Sequence, residues 1–242
     1  MKGREGMWSV KVLSLFPHMF PGPLAESVIG NALASKLWGI ESKNIRDYSK
    51  DKHQTVDDTP YGGGAGMVMR ADVVGNAIED YFLTNEKPII YLSPRGKKFD
   101  QKMASRLADC TGGINLLCGR FEGIDERVIS KYSVTEISIG DYVVSSGDLA
   151  ALVLIDCCVR LLPGVIDQSA EEESFAVGSE FQNLLEYPHY TKPVEWKNMV
   201  VPEILLSGNH AKIKAWRLEQ AKQKTATVRP DLWALYNTEE KK

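Results

Sequence analysis

The sequence has no apolar run long enough to cross a membrane. Its 242 residues are 43% hydrophobic and 25% charged, the proportions of an ordinary soluble globular protein. A membrane-spanning helix needs about 20 consecutive apolar residues, whereas Asp156 and Arg160 interrupt the most apolar stretch, residues 149–164. The basic start precedes only a short apolar run without a small-residue cleavage site, so no signal peptide is expected. We therefore expect a cytoplasmic protein that does not engage a membrane.

Cysteine and histidine are scarce, and their spacing excludes the common metal sites. No two cysteines have C-x-x-C spacing, so reduced thiols are expected. The four histidines show neither H-x-x-x-H nor H-E-x-x-H spacing. The sequence thus predicts no metal site of protein ligands and leaves Mg²⁺ open as a cofactor. The cysteines are Cys110, Cys118, Cys157 and Cys158.

Two widespread nucleotide-binding motifs are absent. The stretch "YGGGAGM", residues 61–67, lacks the G-K-[S/T] of a Walker A loop. It also fails the pattern G-x-G-x-x-G, because Met67 stands sixth from Gly62, and it follows a long loop instead of a strand. A Rossmann-type oxidoreductase is therefore excluded. The glycines leave either a flexible loop or a backbone that another molecule can approach closely.

Charge is unevenly distributed, although the net charge is only −3. Residues 189–229 contain eight lysines and arginines against three glutamates, whereas residues 167–186 contain six carboxylates and no basic residue. A basic cluster of this size suits a phosphate backbone. A solvated helix face explains it equally well.

Apolar runs alternating with helical patterns predict an α/β fold. Because each predicted strand is a continuous apolar run, a parallel sheet covered on both faces is expected. The predicted strands are 10–16, 38–45, 88–94, 114–119 and 134–140, and the predicted helices are 19–37, 70–82, 97–109, 126–131 and 148–162.

The pattern changes after Pro163 and predicts three segments. Residues 1–166 form the α/β domain, residues 167–186 an acidic mobile linker, and residues 187–242 a small helical domain. Ser207 or Asn209 can cap a helix over 210–224. Pro230 is expected to end that region, and residues 231–237 predict a last short turn or helix.

Three predicted strands end in small or turn-forming residues, which indicates a ligand site. The ends read "YLSPRG", "LLCGRFEG" and "SIGDYVVSSGD". Ligands of open α/β sheets bind outside the carboxyl ends of the strands. A pocket made mainly of backbone N–H and C=O groups suits an adenine and a ribose, and it offers no nucleophile, metal ligand or phosphate clamp.

Eight ordered blocks between about Met7 and Leu232 resemble the bacterial tRNA (guanine-N1-)-methyltransferase (TrmD) family of the SPOUT class. The resemblance implies a deep trefoil knot in the parallel-sheet domain, a homodimer with its active site at the interface, and S-adenosylmethionine as cofactor. Residues 1–6 then form an extension, and residues 187–242 bind tRNA. The blocks are "SLFPHMF", "TVDDTPYGGGAGM", "YLSPRG", "LCGRFEGIDERV", "SIGDYVVSSGDL", "PGV", "PHYTKP" and "LLSGNHAKIKAWR".

The resemblance also implies which residues hold the cofactor and the tRNA. All cofactor residues belong to the three strand-end loops. They are Tyr91, Leu92, Ser93, Pro94, Gly119, Glu122, Gly123, Ile139, Gly140, Asp141, Tyr142, Val143, Val144 and Gly147. The residues expected at the tRNA are Asp57 and Gly66 near the target guanosines, and His210, Lys212, Lys214 and Arg217 on the C-terminal helix.

The implied reaction is methylation of N1 of guanosine 37 of tRNA, just 3′ of the anticodon, when another guanine precedes it. Guanine N1 carries a proton at neutral pH, so a base must remove it. Glu173 stands where the family has an aspartate before a Ser-Phe pair, and Glu172 is the second candidate. Arg160 matches the arginine that stabilises charge on O6, although an ion pair with Asp156 is the alternative. The departure at Glu173 leaves a catalytically impaired tRNA-binding homologue as the alternative function.

Overall fold

The computed structural model describes residues 6–166, 173–176 and 178–239. The chain divides into two compact units, the first ending at Ile166. The second candidate base, Glu172, and nearly all of the extension expected at residues 1–6 lie outside the described residues.

The first unit contains a five-stranded parallel sheet. Its strands are β1 (Trp8–Ser14), β2 (Trp38–Asn44), β5 (Ile89–Lys98), β6 (Gly113–Leu117) and β7 (Thr135–Ser138). They lie in the order β2-β1-β6-β5-β7 across the sheet. The predicted α/β fold with a central parallel sheet is therefore confirmed. A short antiparallel pair, β3 (Asp57–Asp58) and β4 (Val68–Met69), lies outside this sheet.

Helices cover the sheet on both faces because successive strand residues point to opposite sides. In β6, Leu116 belongs to one apolar cluster, with Leu154 of the helix Gly147–Val159, and Leu117 belongs to the other, with Val73 of the helix Ala71–Tyr81. The helices of the first unit are α1 (Ser27–Ala34), α2 (Ala71–Tyr81), α3 (Gln101–Ala108), α4 (Glu126–Lys131) and α5 (Gly147–Val159).

Two predicted helices are shorter than their patterns suggested. The region 19–37 contains α1 only from Ser27, after 3-10 turns at Pro17–Met19 and Gly22–Ala25, because prolines there cannot donate helical hydrogen bonds. The helix predicted from residue 97 begins at Gln101. Asp100 caps it by accepting a hydrogen bond from the Met103 amide at 2.7 Å.

The prediction that Pro94 ends a strand is wrong, because β5 resumes after a bulge. Leu92 and Lys97 both pair with Ile137 of β7, so residues 93–96 are displaced from the ladder. Pro94 has no N–H to contribute to the ladder, which is why proline in strands occurs at bulges. The displaced residues are those of the first predicted ligand loop.

The second unit is helical and has its own core. Its elements are the hairpin β8 (Glu195–Trp196) and β9 (Met199–Val200), and helices α6 (Glu203–Leu206), α7 (His210–Val228) and α8 (Pro230–Glu239). Asn209 caps α7, as predicted, by accepting a hydrogen bond from the Lys212 amide at 3.1 Å. Pro230 does not end the helical region; it begins α8, where its missing N–H costs nothing.

Part of the acidic segment belongs to that core. Phe181 and Leu184 are buried with Tyr187, Ala221 and Tyr236. Phe181 and Leu184 were expected in a linker, but their side chains are 2% and 0% exposed. The segment therefore supplies hydrophobic contacts as well as charge.

Candidate functional site

A cavity of about 300 Å³, called here the first cavity, opens where the loops after β6 and β7 meet the bulge of β5. Every expected cofactor residue lines it except Asp141. These residues are Tyr91, Leu92, Ser93, Pro94, Gly119, Glu122, Gly123, Ile139, Gly140, Tyr142, Val143, Val144 and Gly147. The structure thus brings the three predicted loops together at one place.

Asp141 does not line the first cavity. Its side chain is 91% exposed and lies 3.8 Å from Lys98 Nζ. Residues that were not among the expected cofactor residues also line the cavity, including Arg95, Ile124, Ile137, Ser138 and Ala150. Arg95 was in the quoted "YLSPRG" block, but only the bulge of β5 explains why it lies at the cavity.

Hydrogen bonds hold the second and third loops against each other and stabilise the third loop. The Gly147 amide donates to the Gly119 carbonyl oxygen at 3.0 Å. The Arg120 guanidinium donates to the Ser145 carbonyl oxygen at 2.7 Å, and the Ser138 hydroxyl donates to the Gly140 carbonyl oxygen at 2.9 Å. The cavity walls are therefore fixed before any ligand arrives.

Glycine is required at position 147 by close packing. A Cβ atom there would lie 2.9 Å from the Gly119 amide nitrogen and 3.1 Å from Cys118 Cα. Both neighbours are backbone atoms, so neither can move aside without shifting its loop. The first turn of α5 can approach the second loop only because residue 147 has no side chain.

Tyr91 forms a buried floor beneath the second loop. Burial raises the pKa of its hydroxyl, and the nearby charge of Glu136 raises it further. The phenol therefore stays neutral at physiological pH.

In the described residues that line the first cavity, apolar and backbone groups predominate, and no cysteine, histidine or lysine is present.

A buried polar cluster lies directly behind the first cavity. Asp148 is fully buried on the first turn of α5, and the Ser14 hydroxyl donates a hydrogen bond to its Oδ1 atom. Its Oδ2 atom has no hydrogen-bond partner among the described residues. Burial and then the charge of Asp148 raise the pKa of the Cys118 thiol well above its ordinary value. The cluster joins β1 to the start of α5.

The glycine-rich loop packs against the first cavity. The Glu122 amide donates to the Met67 carbonyl oxygen, and the Met69 amide donates to the Gly123 carbonyl oxygen, each at 2.9 Å. A Cβ atom on Gly66 would lie 2.6 Å from Glu122 Cγ. Asp57 pairs with Met69 in the β3–β4 ladder. Gly66 therefore lies in the glycine-rich loop and Asp57 in the β3–β4 ladder, and both of these adjoin the second of the three loops that line the first cavity.

Arg160 lies at the opposite end of α5 from the first cavity. It is the residue that follows Val159, the last residue of this 13-residue helix, whereas Gly147 is the first. At about 1.5 Å per residue the helix is about 20 Å long. The structure does not bring Arg160 to the cavity of its own chain.

Glu173 stands in a turn of the second unit, and hydrogen bonds join this turn to residues 184 and 186. The Phe175 amide donates to the Leu184 carbonyl oxygen at 3.1 Å, and the Glu186 amide donates to the Ser174 hydroxyl at 2.9 Å. Glu173 itself is half-buried, and its carbonyl oxygen accepts a hydrogen bond from the Ala176 amide. The candidate base is thus anchored to the helical unit.

The expected tRNA-binding residues of α7 lie near its start. His210, Lys214 and Arg217 line a cavity of about 450 Å³, called here the second cavity, and Lys212 does not. The Lys214 ammonium lies 2.7 Å from a Glu180 carboxylate oxygen. The Arg217 guanidinium lies 4.8 Å from the centre of the Tyr187 ring.

In the part of the chain that the structure describes, no helix is long and apolar enough to span a membrane. Across the same residues, no group of three or more histidine, cysteine, aspartate or glutamate side chains could hold a metal ion.

Comparison with known proteins identifies one family. The family described as tRNA (Guanine-1)-methyltransferase TrmD matches residues 7–235. A tRNA (guanine-N(1)-)-methyltransferase of Ruegeria sp. (strain TM1040) is 50% identical over 98% of this chain and 96% of its own. The proteins of the same name from Rhodopseudomonas palustris (strain TIE-1) and Brucella ovis are each 52% identical, over 94% and 96% of this chain and 90% and 93% of theirs.

Proposed function

This chain belongs to the tRNA (guanine-1)-methyltransferase family, and we propose that it methylates N1 of guanosine 37 of tRNA in the cytoplasm. Methylation of guanine N1 is the reaction named for relatives that share about half of its residues along nearly its whole length. The names of those relatives give no support to a catalytically impaired homologue. The observation that carries the proposal is the convergence of three family loops on the first cavity.

The first cavity fits S-adenosylmethionine. Apolar side chains such as Leu92, Ile137 and Val144 offer flat contact for a purine ring, and loop backbone groups can pair with its edge. Gly147 lets the second and third loops meet around the cavity, because a side chain there would collide with the backbone of Gly119 and Cys118. When bound, this cofactor supplies an electrophilic methyl group. The residues of the three loops would hold it, with Glu122 as the acidic residue of the lining.

We assign proton removal to Glu173. Its carboxylate would accept the proton from guanine N1, and Arg160 would stabilise the negative charge that then develops on O6. The glutamate is one methylene longer than the family's aspartate. Its turn is held by hydrogen bonds to Leu184 and Glu186, and the longer side chain would have to reach N1 from that backbone position.

The active site is proposed to form between two copies of the chain. Arg160 and Gly147 lie at opposite ends of α5, so an arginine that serves the first cavity must come from a partner copy. The same helix is apolar on all sides, yet Leu149 and Val153 are 42% and 46% exposed. Such helices are normally buried. A homodimer that covers this face explains both observations.

Family membership also supports the SPOUT class, with a deep trefoil knot in the C-terminal half of the sheet. In a knot, one segment of the chain passes close to another, and the tight contact of residue 147 with residues 118 and 119 is compatible with this. The basic start of α7 is assigned to tRNA phosphates. No catalytic step is assigned to Mg²⁺.

A methyl-transfer assay with a tRNA transcript tests the proposed function. The wild-type protein should methylate a transcript with guanines at positions 36 and 37, and mapping should place the product at N1 of guanosine 37. A transcript without the guanine at position 36 should be a poor substrate. The rate of methyl transfer in a parallel reaction with EDTA measures any dependence on Mg²⁺. No methyl transfer, despite measurable cofactor binding, would contradict the proposal.

Glu173→Gln tests the base. The amide cannot accept the N1 proton, so turnover should fall by about 10²- to 10⁴-fold, while cofactor affinity measured by calorimetry should stay unchanged. Glu195→Gln, at an exposed glutamate of the same unit, is the matched control and should retain turnover. Near-normal turnover of Glu173→Gln would remove this residue from the role.

A further inference from the structure

The second cavity combines aromatic and cationic side chains. Tyr190 and Trp216 line it, with ring centres 6.3 Å apart and planes inclined by 56°. His210, Lys214 and Arg217 line it as well. Its volume of about 450 Å³ is in the range of roughly 300–1,000 Å³ typical of small-ligand sites.

Its two outer aromatic rings are not used by the core of the second unit. That core consists of Phe181, Leu184, Tyr187, Ala221 and Tyr236, with Leu218 and Trp233 packed against it. Tyr190 is 49% exposed, and Trp216 is half-buried. A tyrosine that packing alone required would be covered more completely. These rings are available to a ligand.

One face of α7 carries the cations to the same place. Residues 210, 213, 214 and 217 follow i, i+3, i+4, i+7 spacing, so they share one side of the helix, and all of them line the second cavity. The ion pair between Lys214 and Glu180 is exposed, with side chains 62% and 40% accessible. An exposed pair of this kind contributes little to stability, so a phosphate can displace Glu180.

We propose that the second cavity holds one unstacked nucleotide of the substrate tRNA, distinct from the target guanosine. Its base stacks on Tyr190 and Trp216, and an adjacent phosphate contacts Lys214. The inference rests on the proposed function for the identity of the RNA. Aromatic rings beside cations are how proteins bind single-stranded RNA. The stacking is tolerant of base identity, because every base has a π-face.

Binding of an anticodon stem-loop RNA tests the inference. Loss of one stacking contact costs about 1–3 kcal/mol, so Tyr190→Ala and Trp216→Leu should each weaken binding roughly 5- to 150-fold. Tyr190→Phe retains the ring and should bind like the wild type. Trp196→Ala, an aromatic residue that is 55% exposed in the same unit but does not line the cavity, is the control for general surface effects.

Salt dependence separates stacking from phosphate contact. Lys214→Gln should make the slope of log K against log salt concentration less steep, by about the amount that one phosphate contact contributes. Tyr190→Ala should lower affinity at every salt concentration without changing that slope. In turnover assays the loss should fall on KM for tRNA. Normal circular dichroism of each variant shows that the second unit remains folded.

Fluorescence of 2-aminopurine, placed at one loop position of the RNA at a time, identifies the nucleotide. One position should be quenched on binding to the wild type and recover brightness with Trp216→Leu. If wild-type protein methylates tRNA but the stacking variants bind RNA normally, this inference is overturned and the proposed function stands. If stem-loop binding depends on the rings but no methyl is transferred, the proposed function fails and the nucleotide site stands.

Discussion

Ser14 and Asp148 show how one buried side chain positions an element of the first cavity. The carboxylate of Asp148 is fully buried on the first turn of α5, and it accepts the hydroxyl hydrogen bond of Ser14 from β1. Its other oxygen has no partner among the described residues. The Ser14 hydroxyl also accepts a hydrogen bond from the Phe16 amide at 2.8 Å. This serine therefore satisfies two buried polar groups.

Ser14→Ala should lower the free energy of unfolding by about 1–3 kcal/mol, because it leaves buried polar groups without partners. Urea unfolding followed by circular dichroism measures the change as a lower midpoint at constant slope. Ser35→Ala, at an exposed serine that follows α1, should change stability by less than about 0.5 kcal/mol. Equal stability of the two variants would contradict this account.

At the scale of elements, the loop before the glycine-rich segment is organised by Asp51. Its carboxylate accepts hydrogen bonds from the Ser49 hydroxyl at 2.8 Å and from the His53 and Thr55 amides at 2.9 and 3.1 Å. Arg70 Nη1 lies 3.3 Å away. The Ser49 contact and then the backbone contacts lower the pKa of Asp51 from 3.8 to about 2.

The pKa of Asp51 is lower in the folded than in the unfolded state. Its contribution to folding stability is therefore complete above the unfolded pKa and is lost as pH falls through the folded pKa. The loop should thus loosen between about pH 4 and pH 2. NMR titration of the Asp51 carboxyl carbon should give a midpoint near 2, and the Asp51→Asn variant should differ least from the wild type at the acid end of this window. A midpoint near 4 would contradict the assignment.

The elements also show what the sequence could predict. All five sheet strands were predicted. The apolar run is clearest in β6, where every residue is buried, whereas the edge strand β2 also contains Glu41, Ser42 and Lys43. The bulge of β5 was missed, since Pro94 alone is equally consistent with a strand end. The burial of Phe181 and Leu184 was missed because isolated apolar residues among charges show no period. Asp141 was expected at the first cavity with its neighbours, but its side chain points to solvent.

At the scale of the whole molecule, the length of α5 determines what one chain can do alone. Gly147 and Arg160 are about 20 Å apart along a helix. Under the proposed dimer, each active site combines the first cavity of one chain with Arg160 of the other.

Mixing two inactive variants tests this arrangement. Gly147→Ala forces the second loop away from α5 and so distorts the first cavity, and Arg160→Ala removes the cation, so neither variant alone should turn over. After subunit exchange, half of the dimers should be mixed, and each mixed dimer should contain one intact site. Activity should then recover to roughly a quarter of the wild-type value. If the cavity and the arginine of one active site belong to the same chain, mixing should restore no activity. Size-exclusion chromatography is the control that both variants remain dimeric.

The backbone walls of the first cavity have a consequence for inhibition. A compound that hydrogen-bonds to main-chain groups of the second and third loops contacts atoms that every amino acid carries. A side chain at position 147 would change the shape of these walls, but it would collide with the backbone of Gly119 and Cys118. Resistance by substitution is therefore expected first at exposed lining residues such as Tyr142 and Val143. Compounds that avoid those two side chains should be the hardest for the protein to escape.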